Sequence, residues 1–195
     1  HKLPDTGDVP LVSDVFRAFY LANDVSKYGL IYGGVQKNIG PAGVVIVIVV
    51  MFGKGRMASQ YANHHAYKTQ VMSNTPPCYG IYICGKVFKW LKAQGGLEAM
   101  KKRNEEKAAL LYNFLLTDFY TATARKEDRS IMNVPFVTGD ADLDAEFVRG
   151  QEGGIENIKG HRTVGGMRAS IYNAMPIEGV QALVEYMKEF EKAHS

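Results

Sequence analysis

The first fifty residues alternate short apolar runs with polar, glycine-rich breaks. Pro10-Leu11-Val12-Ser13-Asp14 reads as a short strand that ends on a carboxylate. Leu30-Ile31-Tyr32 is a second short strand, stopped by Gly33-Gly34. Val44 to Val50 is a continuous β-branched run, the pattern of a strand buried on both faces. Between the last two lies Gln36-Lys37-Asn38-Ile39-Gly40-Pro41-Ala42-Gly43, a loop punctuated by glycine and proline. Short apolar strands with polar loops at their ends predict an α/β sheet that carries its site at strand ends.

Further along, the apolar period lengthens from two to that of a helix. Gly53 to Met72 is polar, with His64-His65 and scattered aromatics, and is expected to be an extended surface segment. Thr75 as a cap and Pro76-Pro77 in the first turn predict a helix that runs to about Ala93 and stops at Gly95-Gly96. A longer helix from Leu97 to about Leu116 carries Met100, Leu110, Leu111, Phe114 and Leu115 as apolar positions. Its other face carries Lys101, Lys102, Arg103, Glu105 and Glu106 and should be solvated. Strands are predicted at Ser130–Val137, Ile155–Ile158 and Met167–Tyr172, with a helix over Leu143–Val148. Pro176 opens a last amphipathic helix with Ile177, Val180, Leu183, Val184, Met187 and Phe190 on one stripe. The texture changes from Arg129, and the boundary is drawn within the long helix, near Leu97 to Leu116. Residues 1–96 form an α/β unit and residues 97–195 a compact α+β unit.

Composition narrows the function classes. The chain has 195 residues, 46% of them hydrophobic and 22% charged, which is ordinary for a globular protein. The net charge of +3 is spread rather than gathered in a run, which argues against nucleic-acid and membrane partners. The longest apolar run is too short to span a bilayer, and no signal core or targeting helix opens the chain, so a cytoplasmic location is expected. The start at His1-Lys2-Leu3, without methionine, suggests a fragment. Cys78 and Cys84 match no zinc spacing and read as reduced, partly buried thiols. No metal site is expected: adjacent histidines such as His64-His65 point apart, and no third ligand is suggested.

The residue of chemical interest is Lys37. It follows a strand and two glycines, and precedes a Gly-Pro-Ala-Gly turn whose backbone can approach a ligand closely. A lysine held at a strand end in a partly apolar pocket can form a Schiff base with an aldehyde; read from spacing alone, an exposed loop lysine is the better account. A nucleotide phosphate loop at Gly40–Gly43 is disfavoured, since the GxxxxGK[ST] spacing is missing.

The segment Tyr28-Gly29-Leu30-Ile31-Tyr32-Gly33-Gly34-Val35-Gln36-Lys37-Asn38-Ile39-Gly40-Pro41-Ala42-Gly43 resembles the cofactor-lysine segment of the phosphoserine aminotransferases. Lys159-Gly160-His161-Arg162-Thr163-Val164-Gly165-Gly166-Met167-Arg168-Ala169-Ser170-Ile171-Tyr172-Asn173-Ala174 is similar to a second segment of that family. Ser73-Asn74-Thr75-Pro76-Pro77 and Arg129-Ser130-Ile131-Met132-Asn133-Val134-Pro135-Phe136 resemble two more, in the same order. The resemblance implies part of the large domain of a fold-type I pyridoxal-phosphate-dependent transferase, followed by a small C-terminal α+β domain. It implies that Lys37 is the catalytic lysine bound to pyridoxal 5'-phosphate and the acid and base of the proton transfer. Asp14 would face the pyridine nitrogen, and Gln36 would bind the cofactor phosphate, as would Asn74 and Thr75 from the partner subunit of a homodimer. Arg168 would clamp the substrate carboxylate, and His161 and Arg162 would hold the substrate phosphate, again across the dimer. The implied reaction passes the amino group of glutamate to 3-phosphohydroxypyruvate, giving O-phosphoserine and 2-oxoglutarate, a step of serine biosynthesis.

Two departures bear on that reading. Val15-Phe16-Arg17-Ala18-Phe19-Tyr20 stands where the family usually keeps small hydroxyl residues. The resemblance also implies an upstream stretch of about equal length that supplies a phosphate-binding helix start and an aromatic stacked on the ring. A different class of function therefore stays open: a non-catalytic remnant that serves as a structural or binding partner.

Overall fold

The computed structural model describes residues 3–15, 24–49, 75–150 and 154–195. They fall into two compact units, His1–Leu97 and Glu98–Ser195.

In the first unit the strands are β1 (Val12–Asp14), β2 (Leu30–Gly34) and β3 (Val45–Val49), in the order β1-β2-β3. β1 and β2 run parallel, with Asp14 opposite Tyr32. β2 and β3 run antiparallel, with Gly34 opposite Val45. The amide of Val35 continues that pairing, donating to the Val44 carbonyl at 3.1 Å. β2 does not stop at Tyr32 as the sequence predicts, but carries on through Gly33 and Gly34. Glycine weakens a strand only modestly, and here both glycines keep partners in β3. β3 also departs from expectation. Its β-branched run reads as fully buried, yet Val45 is 52% and Ile48 37% exposed, and the strand forms one edge of the three-stranded sheet.

The helix α1 (Cys78–Ala93) covers the β2–β3 connection. Val35, Ile39, Val44 and Cys84 form one buried cluster, with Ile46 against it. The approach is close: a Cβ on Gly80 would lie 2.5 Å from Val44 Cγ2. Thr75 does not cap this helix. The cap is Pro77, without a side-chain hydrogen bond, and Thr75 lies outside the first turn. Two prolines in a row explain the shift, since a residue before proline is pushed out of the helical region. Cys84 is buried, and Cys78 is exposed rather than partly buried; both are free thiols. The segment Gly53–Met72, with His64-His65, and residues Phe16–Tyr20 lie outside the described residues.

In the second unit α2 (Gly96–Phe114) leads to β4 (Thr121–Ala122), β5 (Asn133–Val137), α3 (Ala141–Arg149), β6 (Met167–Ser170) and α4 (Ile177–His194). The sheet is antiparallel in the order β4-β5-β6. Its core gathers Leu111, Tyr120, Val134, Phe136, Phe147, Met167, Val180, Leu183 and Met187, nearly all without solvent contact. Tyr120 and Phe147 join the elements through edge-on ring contacts, 6.1 Å between their centroids, and Tyr120 donates its hydroxyl to the Met187 carbonyl at 2.9 Å. The α4 stripe read from the sequence is the buried face of that helix.

Three predicted boundaries shift for local reasons. β5 begins at Asn133 because the Ser130 hydroxyl accepts from the amides of Met132 and Asn133, both at 3.1 Å, and folds the preceding residues into a turn. α3 begins at Ala141, where the Asp140 carboxylate accepts from the amides of Asp142 and Leu143. β6 ends at Ser170. The expected strand at Ile155–Ile158 is not formed; the chain there makes one isolated bridge, Lys159 to Met167, and Asn157 takes a positive φ of 58°.

The α2 stripe also holds two residues that polarity places outside. Asn104 and Lys107 have no exposed surface. Burial pushes the Lys107 amine down to about 8, with the nearby Arg103 charge adding to the effect.

Candidate active site

Because β1 and β2 are parallel, their C-terminal ends lie at one edge of the sheet, the position at which open α/β sheets bind ligands. Asp14 is the last residue of β1, and Gln36 and Lys37 lie two and three residues past Gly34, the last residue of β2. Asp14 and Gln36 therefore line a single cavity of about 530 Å³, together with Tyr32, Gly34, Ala42, Gly43, Val44 and Val45. Tyr32 was not singled out in the sequence. The strand period of two could have shown it, since Tyr32 and Gly34 share a face.

Lys37 sits half-buried in the turn that follows β2. The Val35 carbonyl accepts from the amides of both Ile39 and Gly40 at 3.0 Å and so closes the turn around Lys37. Gly34 has a particular purpose here: a Cβ at this position would run into the Gln36 side-chain amide, so the missing side chain gives that amide its place. Gly43, at a φ of +99°, bends the chain back toward β3. The donor set suits a charged aromatic cofactor: a carboxylate, a primary amide and an amine at one sheet edge, with apolar walls from Val44 and Val45. Thr75 is exposed two residues ahead of the Pro77 cap of α1, the helix that packs on the same turn. Asn74 lies outside the described residues.

The remaining candidates belong to the second unit. Gly160 donates its amide to the Gly166 carbonyl at 2.7 Å, and the His161 carbonyl accepts from Val164 and Gly165, which ties residues 160–166 into a tight loop. No side chain fits at position 160, where a Cβ would run into the Gly165 carbonyl. The loop holds His161 and Arg162 exposed on the wall of a cavity of about 580 Å³, with Arg149 and Lys159 on the same wall. Asp144 also lines it, but its carboxylate accepts from the Thr138 amide and hydroxyl, both at 2.8 Å. Four basic side chains facing one acidic group suit an anion. His161 Nδ1 lies 2.7 Å from the Thr163 hydroxyl, which orients the ring.

Arg168 stands in the middle of β6, opposite Pro135, and is half-buried. Its Nε is buried without a hydrogen-bond partner among the described residues. A buried guanidinium donor in that state fits a carboxylate acceptor. Among the described residues no group of histidine, cysteine or acidic side chains could hold a metal ion, and no helix is long and apolar enough to cross a membrane.

The family model for class-V aminotransferases matches residues 17–183. The chain belongs to the class-V aminotransferase family. Phosphoserine aminotransferase of Lactiplantibacillus plantarum is 52% identical over 199 residues, covering 99% of this chain and 56% of its own length. Among solved structures, phosphoserine aminotransferase from Bacillus circulans subsp. alkalophilus superposes with a TM-score of 0.89 at 38% identity, over 100% of this chain and 56% of the other. The pyridoxal-phosphate-bound phosphoserine aminotransferase of Trichomonas vaginalis gives a TM-score of 0.83 at 35% identity, over 96% of this chain and 55% of its own. The chain thus spans about half the length of the relatives it matches. Its mixed α/β fold is that of the fold-type I aminotransferases and includes part of their large domain. In this class-V aminotransferase chain the described parts of the four segments that resemble the family in sequence fall at the lysine turn, just ahead of α1, at β5, and at β6 with the loop before it.

Proposed function

We propose that this chain belongs to a phosphoserine aminotransferase that acts with pyridoxal 5'-phosphate. It would move the amino group of glutamate to 3-phosphohydroxypyruvate, giving O-phosphoserine and 2-oxoglutarate in serine biosynthesis. The reading includes a cytoplasmic homodimer, residues 1–96 as part of the cofactor-binding domain and residues 97–195 as the small domain. The observation that carries it is the convergence of Asp14 and Gln36 in one cavity at the C-terminal ends of two parallel strands, beside the Lys37 turn.

Lys37 would hold the cofactor covalently, Asp14 would keep a proton on the pyridine nitrogen, and Gln36 would bind its phosphate, joined by Asn74 and Thr75 across the dimer. When bound, pyridoxal phosphate supplies an electron sink that stabilises negative charge at the substrate Cα. Lys37 Nζ would take up and return the Cα proton, a role its half-buried place in a short turn suits, because the amine is held on a fixed backbone. Arg168 would hold the substrate carboxylate in a two-point grip and so orient the substrate. His161 and Arg162 would meet the substrate phosphate, with their loop kept rigid by its own backbone bonds.

The test is a spectrum of the purified chain with pyridoxal phosphate, followed by borohydride reduction and peptide mass mapping. The reading requires a visible absorbance band and a cofactor mass on Lys37, both absent in Lys37→Ala. No band, or tags scattered over many lysines, would sink it.

A further inference from the structure

Lys107 is the best-enclosed charged side chain among the described residues, with 0% of its surface exposed. Its Nζ donates to the carbonyl oxygens of Ile171 at 3.2 Å, Tyr172 at 2.8 Å and Met175 at 2.9 Å. Asn104, a turn earlier on α2, donates its Nδ2 to the Asn173 side-chain oxygen at 2.8 Å. From the opposite side, the Asn133 side-chain oxygen accepts from the Tyr172 and Ser170 hydroxyls, both at 3.2 Å. All these bonds converge on the stretch that begins where β6 ends, directly after the strand that carries Arg168.

Enclosing an ammonium costs several kcal/mol unless its donors are matched. Here no carboxylate forms an ion pair with it among the described residues. The match is instead three N–H donors to three carbonyls. An apolar side chain of equal length would fill the same space more cheaply, but it would leave those carbonyls buried without a donor. The ammonium is thus what allows three carbonyls of one tight turn to point at a single site.

Arg168 has no backbone N–H bond to β5 of its own. It faces Pro135, which has no N–H to give, and its own N–H turns away from β5 to the Ile158 carbonyl at 2.7 Å. Past the ladder pairs Ala169–Val134 and Ser170–Asn133, the backbone bond that ties the end of this strand to the β5 segment is Ile171 N–H to the Met132 carbonyl, at 2.9 Å. Ile171 is also the first residue whose carbonyl Lys107 holds.

We propose that Lys107, assisted by Asn104, is a positioning residue for Arg168: it fixes the end of β6 and through it the direction from which the guanidinium meets a substrate carboxylate. The inference rests on the reading of Arg168 as the carboxylate ligand.

The experiment uses the whole chain with Lys107→Met, Lys107→Arg and Asn104→Ala. It reads the Arg168 Nε–H resonance, hydrogen exchange over 167–175 and the affinity for glutamate. Lys107→Met should shift the Arg168 resonance, speed exchange through β6 and weaken glutamate binding about ten-fold. Lys107→Arg should restore part of each change. If Lys107→Met does not fold, Asn104→Ala, which keeps the cation, should give the same changes in weaker form. Exchange that speeds only at 171–175, with the Arg168 resonance and glutamate affinity unmoved, overturns the inference. A parent chain that does not bind glutamate, yet shows the Arg168 shift on Lys107→Met, overturns the carboxylate role of Arg168 and leaves the positioning intact.

Discussion

Gly40 and Cys84 touch where the lysine turn meets the helix above it: a Cβ on Gly40 would lie 2.5 Å from Cys84 Sγ and 3.6 Å from Cys84 Cα. The turn that presents Lys37 is thereby set against α1 through two small residues. Gly40→Ala should lower stability by about 1–3 kcal/mol, the usual cost of overfilling a packed contact. Cys84→Ala in the same chain should recover much of that loss by making room. Urea unfolding of the parent, both single variants and the double variant checks it, and strict additivity would show that the contact does not matter.

Gln36 is held over Gly34, so its amide should bear directly on cofactor retention. Gln36→Ala is expected to weaken pyridoxal phosphate binding by about ten- to a hundred-fold, the range for losing a hydrogen bond to a charged group. Equilibrium dialysis measures this. A smaller loss would move the phosphate away from this turn.

The exposed loop at 160–166 separates binding from folding. Under the proposed function, Arg162→Gln should raise the KM for the phosphorylated substrate and flatten its salt dependence, since one charge fewer would meet the anion. The unfolding free energy should stay within about 0.5 kcal/mol of the parent, as is usual for surface substitutions. An unchanged KM would remove Arg162 from substrate binding.

His194 gives the second unit a pH dependence of known sign. Its Nδ1 lies 2.8 Å from the Phe190 carbonyl and its Nε2 3.1 Å from the Glu146 carboxylate. The Phe190 carbonyl first, and Glu146 next, hold its pKa above the ordinary histidine value. Protonation lets both ring nitrogens donate, so the folded state favours the imidazolium. The added stability is complete below the unfolded pKa and is lost as pH rises through the higher folded one. The gap in unfolding free energy between the parent and His194→Gln should therefore narrow from mildly acidic to mildly alkaline pH. A gap that widens would reverse the assignment.

The site was more legible in the sequence than its supports. Lys37 stands out because a strand end followed by glycines is a local pattern, whereas Asp14 and Gln36 are marked by the family resemblance, and the meeting of those two follows once β1 and β2 run parallel. The helices could be read from their apolar period, and the α4 stripe needed no revision. What could not be read depends on partners distant along the chain. Asn104 and Lys107 look like surface residues until the carbonyls of residues 171–175 supply their acceptors. Thr75 has the right type for a cap, but the prolines after it move the helix start. Ile155–Ile158 has strand composition, yet only Lys159 makes a bridge.

The sequestration of Lys107 also makes it a chemical clock. Among the described residues every other lysine is at least partly exposed, so an amine-reactive reagent would label those first. Lys107 would react only when α2 parts from the 171–175 turn. Its labelling rate, followed by mass spectrometry, would report how often this joint opens in an otherwise folded chain.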